Sequence, residues 1–267
     1  MTEPVAVLRN VSLNVGARRL WSDLTLEIAQ GEFLAVIGPN GSGKTSLLKA
    51  LLGQLPIRNG NISVLGKAPG QANREIGYIP QQRAAETALG LRGKDFVAFG
   101  LDGTKWGPPI RSKTQQLQVL DALARVDAKG LADVALGEMS GGQQQRLRVA
   151  QALVGSPRLL LCDEPYLSLD FKRQQDITNA IERYRKQSGC SVVFVTHDVN
   201  PLLGIVDRVL YFTGERFALG TAKEVLQSKT LSEIFGTKIE VIRNADRVTV
   251  VGIPESQHGH HELAGRE

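Results

Sequence analysis

The chain has 267 residues, 32 Lys and Arg against 27 Asp and Glu, a net charge of +5, and 42% hydrophobic and 22% charged content. This is the composition of a soluble globular chain with material for a substantial core, one or two domains by length, and no apolar run approaches the roughly 18 residues of a membrane span. The modest positive charge comes without a basic stripe interleaved with aromatics, so nucleic acid is not an expected partner.

Met1-Thr2-Glu3-Pro4-Val5 lacks a basic segment followed by an apolar one, so no secretory leader is expected. Residues 5–15 and 24–29 alternate apolar with polar and read as half-exposed antiparallel strands. After a turn at Gln30-Gly31-Glu32, Phe33-Leu34-Ala35-Val36-Ile37 reads as a buried strand. Next comes Gly38-Pro39-Asn40-Gly41-Ser42-Gly43-Lys44-Thr45, which fits G-x-x-x-x-G-K-[ST], and Ser46 to Leu52 has the composition of a helix start. Strand, glycine turn and helix are the context of a phosphate cradle. The glycines let backbone N–H groups and the helix N-terminus face an anion. Lys44 is expected to reach the β- and γ-phosphates, and Thr45 to offer its hydroxyl to Mg²⁺.

Asn61 to Gly66 reads as a strand, and so does Ile76 to Gln81, which ends in a loop. From about residue 83 the texture changes. Glycines and Pro108-Pro109 punctuate short segments, and Thr114 to Val126 reads as an amphipathic helix with Leu117, Leu120, Leu123 and Ala124 along its apolar stripe. Residues 83–140 are thus expected to be an inserted, mostly helical subdomain. The flanking parts, 1–82 and 141–267, should form the phosphate-binding core with an antiparallel β subdomain. Beyond it, Gln143–Val154 and Lys172–Lys186 read as helices, the second a charged surface helix. Arg158–Asp163 and Ser191–Thr196 read as buried strands. Strands alternating with helices argue for an α/β fold with a mainly parallel sheet. Residues 208–213 and 216–219 read as a hairpin, and 239–242 with 248–251 as a last strand pair. Cys162 and Cys190 lie in or beside apolar strands and read as reduced, buried core residues.

A second acidic motif supports the first. Leu159-Leu160-Leu161-Cys162-Asp163-Glu164 is an apolar strand ending in two acids, at the end of an α/β sheet where ligands bind. Asp163 is expected to hold Mg²⁺, and Glu164 to act as general base on an attacking water. Between the two motifs lies Met139-Ser140-Gly141-Gly142-Gln143, where a hydroxyl, two glycines and a helix start suggest a second anion site.

This last stretch resembles the signature motif of ATP-binding cassette (ABC) ATPases, with Met139 in place of Leu, a volume-conserving change. The resemblance extends over nearly the whole chain to about residue 220 and implies a P-loop NTPase fold. Gln81 stands where the family has its Q-loop glutamine, a Mg²⁺ and water contact, with Gln82 a rival. Ser168-Leu169-Asp170 is similar to the D-loop, and His197 to the switch histidine near the γ-phosphate. The ligands implied are ATP and Mg²⁺. The resemblance further implies a head-to-tail homodimer, in which Ser140, Gly141, Gly142, Gln143 and Asp170 of one copy complete the site of the other. The family commonly stacks an aromatic on adenine about 23 residues before the first P-loop glycine. Val15 stands there, so an apolar valine–adenine contact and loose base selectivity are expected. Trp21, near in sequence, is expected to pack inside.

Within the family the chain looks like the ATP-binding subunits of manganese, zinc and iron importers, chiefly through His197-Asp198-Val199-Asn200-Pro201-Leu202-Leu203. That implies integral membrane permease subunits and, through them, a solute-binding protein, with the chain peripheral on the cytoplasmic membrane face. Thr87 to Lys94 would be where a permease docks. The polar tail from Pro254 carries His258, His260 and His261; it reads either as a loose tail or as a transition-metal ligand set. The other readings are a soluble ABC ATPase, such as a cluster-assembly type, and a P-loop small-molecule kinase. The kinase has no use for Ser140–Gln143.

Overall fold

Strand β3 (Phe33–Ile37) is apolar at every position and buried on both sides. Period-two alternation therefore divides it between two cores. Phe33, Ala35 and Ile37 enter one core, and Leu34 and Val36 the other. The computed structural model describes residues 3–81, 90–102, 111–166, 169–244 and 247–252.

The strands around β3 form a six-stranded sheet in the order β5-β6-β7-β3-β8-β9. They are β5 (Ile76–Ile79), β6 (Leu159–Asp163), β7 (Ser191–Val195), β8 (Arg208–Thr213) and β9 (Arg216–Gly220). The five strands from β5 to β8 run parallel, while β9 returns antiparallel through a tight hairpin. Parallel neighbours need crossovers, and helices on both faces supply them.

One face carries helix α1 (Lys44–Leu51) and a three-stranded antiparallel sheet in the order β2-β1-β4. Its strands are β1 (Ala6–Val15), β2 (Arg18–Ile28) and β4 (Asn59–Val64). The second strand thus begins at Arg18, six residues before the alternation suggested. The early part, Arg18-Arg19-Leu20-Trp21, has no clean period because Leu20 and Trp21 are both buried. Trp21 is fully buried and stacks on Phe212 with ring centroids 5.7 Å apart, as expected of an inward residue.

The other face packs α2 (Gly93–Asp102), α3 (Lys113–Arg125), α4 (Gly141–Leu153) and α5 (Phe171–Ser188). Two expectations change here. In α3 the buried residues are Val119, Ala122 and Leu123, while Leu117 and Leu120 are 66% and 46% exposed. Both stripes have helical spacing and share Leu123, and Val119 and Ala122 join it in the core that α2 and α4 also enter. In α5 the surface helix turns out to bury Ile177, Ala180, Ile181 and Tyr184 along one side. Helices α6 (Ala222–Val225) and α7 (Ser228–Phe235), which the pattern did not reveal, precede a separate hairpin of β10 (Ile239–Asn244) and β11 (Arg247–Gly252). Cys162 and Cys190 are free and buried, and burial pushes the Cys190 thiol up to about 12. Of the permease-docking stretch 87–94, residues 87–89 lie outside the described residues; Arg92 bridges to Ala135, and Gly93 and Lys94 open α2, where Lys94 pairs with Asp133 at 2.6 Å. The tail histidines and Gln82 also lie outside them.

Candidate nucleotide site

Every segment singled out around the phosphate motif leaves the same edge of the sheet. The glycine loop follows β3, Asp163 ends β6 and Glu164 follows it. Gln81 comes after β5, and His197 after β7. Four neighbouring parallel strands thus deliver their C-terminal ends to one place, where α/β sheets open a crevice. A cleft of about 760 Å³ lies there, and Val15, Asn40, Gly41, Gly43, Lys44, Thr45, Ser46, Gln81, Glu164 and His197 line it.

Two glycines of the loop are required by space. Gly38 has φ +145°, and a Cβ on it would stand 2.3 Å from the Phe212 carbonyl oxygen. Gly43 has φ +97°, and its Cβ would meet Trp21 Nε1 at 2.7 Å. Any other residue would push the loop off the strand and indole beneath it. The Trp21 indole N–H and the buried Ser42 hydroxyl, both at this loop, find no hydrogen-bond partner among the described residues. Pro39 and Asn40 are exposed, and of the two only Asn40 lines the cleft.

Lys44 opens α1 and is 5% exposed. Its Nζ donates to the carbonyls of Gly38 and Pro39 at 2.8 and 3.0 Å. It also stands 3.9 Å from Glu164 Oε1. Burial holds the ammonium below the usual lysine range, against the pull of Glu164 and Asp163. Thr45 Oγ1 donates to Asp163 Oδ1 at 2.9 Å, and Tyr78 approaches the other oxygen at 3.4 Å. Burial raises the Asp163 carboxyl above the ordinary aspartate value, with the Thr45 hydrogen bond opposing. A buried carboxylate beside a hydroxyl, with so little to compensate its charge, is a hard-oxygen donor pair suited to a divalent cation. Thr45 and Asp163 therefore fit Mg²⁺.

Glu164 adopts the left-handed region at φ +47°, a strained setting for a non-glycine residue. Its N–H donates to the Val195 carbonyl at 3.0 Å, which ties the strained turn to the strand beside it. Its carboxylate lies in the cleft, where Gln81 Nε2 donates to Oε2 at 3.2 Å. His197 is exposed at the rim.

Ser140, Gly141, Gly142, Gln143 and Asp170 do not line this cleft. Ser140 caps α4 in a reciprocal box: its Oγ accepts from Gln143 N–H at 3.3 Å, and Gln143 Oε1 accepts from Ser140 N–H at 2.8 Å. The helix begins at Gly141 rather than Gln143, and neither glycine has positive φ. A Cβ on Gly142 would stand 2.9 Å from Arg173 Cδ, a contact the half-exposed arginine side chain can relieve by moving. Asp170 caps α5, accepting from Arg173 N–H at 2.9 Å. Ser168 lies outside the described residues. Sequence reasoning missed Arg18, Leu20 and Tyr78 at the site. The first two line the cleft because the β1–β2 hairpin leans over the loop, and no local pattern shows that.

Comparisons with known proteins agree with this geometry. The profile of the ABC transporter family matches residues 21–167. The zinc import ATP-binding protein ZnuC of Ruegeria pomeroyi is 33% identical over 237 residues, covering 89% of this chain and 86% of the relative. An inward-facing ABC transporter described as metal-chelate type superposes with a TM-score of 0.79 at 24% identity, over 95% of this chain and 99% of its own. An ATP-binding cassette solved as a dimer in a post-hydrolysis state with ADP and phosphate gives 0.67 at 26% identity, over 80% and 97%. A cleft built on a phosphate loop and two strand-end acids, in a chain whose larger part matches one family profile, leads to one conclusion: the chain belongs to the ABC transporter family, as an ATP-binding, ATP-hydrolysing subunit.

Proposed function

We propose that this subunit energises import of a transition-metal ion through separate membrane subunits, using Mg²⁺ with ATP and working as a head-to-tail homodimer. The convergence of Lys44, Thr45, Gln81, Glu164 and His197 on one cleft carries the ATPase part. The metal part rests on the 33% identity to a zinc import ATP-binding protein. Among the described residues no helix is long and apolar enough to cross a membrane. Permease partners would supply the path and hold the chain at the cytoplasmic face, with a solute-binding protein acting through them. In this reading residues 83–140 form the helical subdomain and the remainder the core.

In the reaction, backbone N–H groups from Gly38 to Ser46 and the Lys44 ammonium bind the phosphates. Thr45 and Asp163 would hold Mg²⁺, with Gln81 beside them, and the ion would supply positive charge against the phosphates. The Glu164 carboxylate accepts the proton of the attacking water, and Gln81 and His197 fix that water and the γ-phosphate. Ser140 to Gln143 and Asp170 of a second copy cover the nucleotide. A capped helix start aimed at an anion suits that role, and the symmetry gives two composite sites. ATP thereby closes the dimer, and loss of phosphate opens it.

The test is Glu164→Gln in the full chain. The neutral amide keeps the shape of the site and removes the base, so ATP binding persists while phosphate release falls at least about 100-fold. The variant gathers as an ATP-bound dimer on size-exclusion chromatography and, used as bait in its own host, retains a multi-span membrane protein. Near wild-type turnover would remove Glu164 from the role of base; a bait free of membrane protein would reject the transport reading.

A further inference from the structure

Arg18 and Arg19 are consecutive yet serve opposite faces of one hairpin. In the β1–β2 ladder Val15 stands opposite Arg18, and Asn14 opposite Arg19. Cross-strand partners share a face and neighbours alternate. Val15, Arg18 and Leu20 therefore share one face, and all three line the nucleotide cleft. Arg19 points away and lies 3.9 Å from Glu215. Arg18 Nη1 lies 3.9 Å from where a Cβ on Gly41 would stand, at the rim of the phosphate loop. No acid among the described residues pairs with it.

Among the described residues two cations line the cleft, and they are differently employed. Lys44 sits deep, bound to two loop carbonyls and close to Glu164. Asp163 and Glu164 add negative charge at that deep end. A polyphosphate bound in the cleft would add more. Arg18 is the guanidinium at the rim, exposed and free to move, with a planar fork that matches phosphate oxygens. Val15 and Leu20 beside it offer only aliphatic surface to a base.

We propose that Arg18 is a second phosphate-binding cation of this site, closing over the polyphosphate from the rim opposite Lys44. The nucleotide is then held mainly by its phosphates, while the base lies against Val15 and Leu20 with little discrimination. The proposal rests on the cleft being the nucleotide site and goes beyond it by assigning a residue to nucleotide specificity.

The experiment uses the purified full chain and measures binding of non-hydrolysable ATP and GTP analogues with Mg²⁺, and displacement of the ATP analogue by inorganic tripolyphosphate. Arg18→Ala is expected to weaken all three about tenfold and by similar factors, the loss of one exposed charge-assisted contact. Arg18→Lys keeps the charge without the fork and recovers part of the loss. Arg19→Ala leaves all three unchanged. Both arginines are exposed, so the variants should fold, and thermal melts check it. A loss confined to the ATP analogue, or one that spares tripolyphosphate, would place Arg18 on the base and overturn the proposal, as would no loss at all. Failure of the unmodified chain to bind either analogue would instead strike at the nucleotide site itself.

Discussion

Asp163 shows how far a single residue of this site is set against stability. Its carboxyl is 2% exposed, and burial raises it above its ordinary 3.8, with one close hydrogen bond from Thr45 in opposition. A carboxyl raised in the folded state penalises folding whenever it is charged. The penalty is fully present above the folded value and disappears as pH falls through that value toward 3.8. At neutral pH the ligand-free protein therefore carries the whole penalty. Asp163→Asn removes it and should stabilise the ligand-free chain by about 1 kcal/mol, or roughly 2–4 °C in Tm. The same change should abolish Mg²⁺-dependent turnover and the rise in Tm on adding Mg²⁺ and ATP. Thermal melts at neutral pH, with and without nucleotide, measure both. A ligand-free Tm that falls would show that Asp163 is compensated better than its surroundings indicate. Glu164 makes the same point through the backbone: its left-handed turn aims the carboxylate at Gln81 and Lys44.

Among the elements, α3 separates what periodicity can say from what packing decides. The pattern announced the helix almost to the residue but got only part of its face: Leu123 is buried as expected, while Leu117 and Leu120 are not. Val119, Ala122 and Leu123 face α2 and α4. Leu123 belongs to both stripes, so it is Leu117 whose mutational cost separates them. Leu123→Ala should destabilise by about 2–5 kcal/mol as a cavity-forming change, whereas Leu117→Ala should stay within about 0.5 kcal/mol. Urea unfolding of the two variants decides between the faces; equal costs would reject the orientation described here. A smaller device joins the last hairpin to the site. Asn200 Nδ2 donates to the Val248 carbonyl at 3.1 Å, and Val248 N–H donates to Asn200 Oδ1 at 2.7 Å, as a neighbouring strand would. Asp198 Oδ1 accepts from Asn200 Nδ2 at 2.7 Å, so the β10–β11 pair is tied to the loop that bears His197. A two-stranded hairpin is marginal alone, and this clamp supplies part of its support.

At the scale of the whole molecule, the proposed head-to-tail dimer makes the cleft of one chain half of a site. The phosphate loop and Glu164 line the cleft, with Asp163 bonded to Thr45 behind it, while Ser140 and Asp170 lie elsewhere, capping their own helices. In a head-to-tail dimer, two variants broken on opposite sides should repair each other. Lys44→Ala and Ser140→Ala, each inactive alone, should recover on mixing up to about a quarter of wild-type turnover, since half the dimers are mixed and each has one intact site. Mixing without recovery would show that Ser140 does not complete the site across copies. The chemistry of that site was legible in order along the chain: the glycine loop, the two acids after an apolar strand, and the glutamine and histidine at strand ends. Motifs of this kind are local, because phosphate binding needs a particular backbone over a few residues, and the sequence by itself determined them together with the α/β fold class. Relations across the chain were not legible. The face of α3, the helical start at Gly141, the buried side of α5, and the place of Arg18 over the phosphate loop depend on which surfaces meet. A residue's periodicity does not reveal its neighbours. Tertiary packing chose between stripes of equal spacing, and the β1–β2 hairpin, by leaning over the loop, turned one arginine of a consecutive pair into the site and the other away.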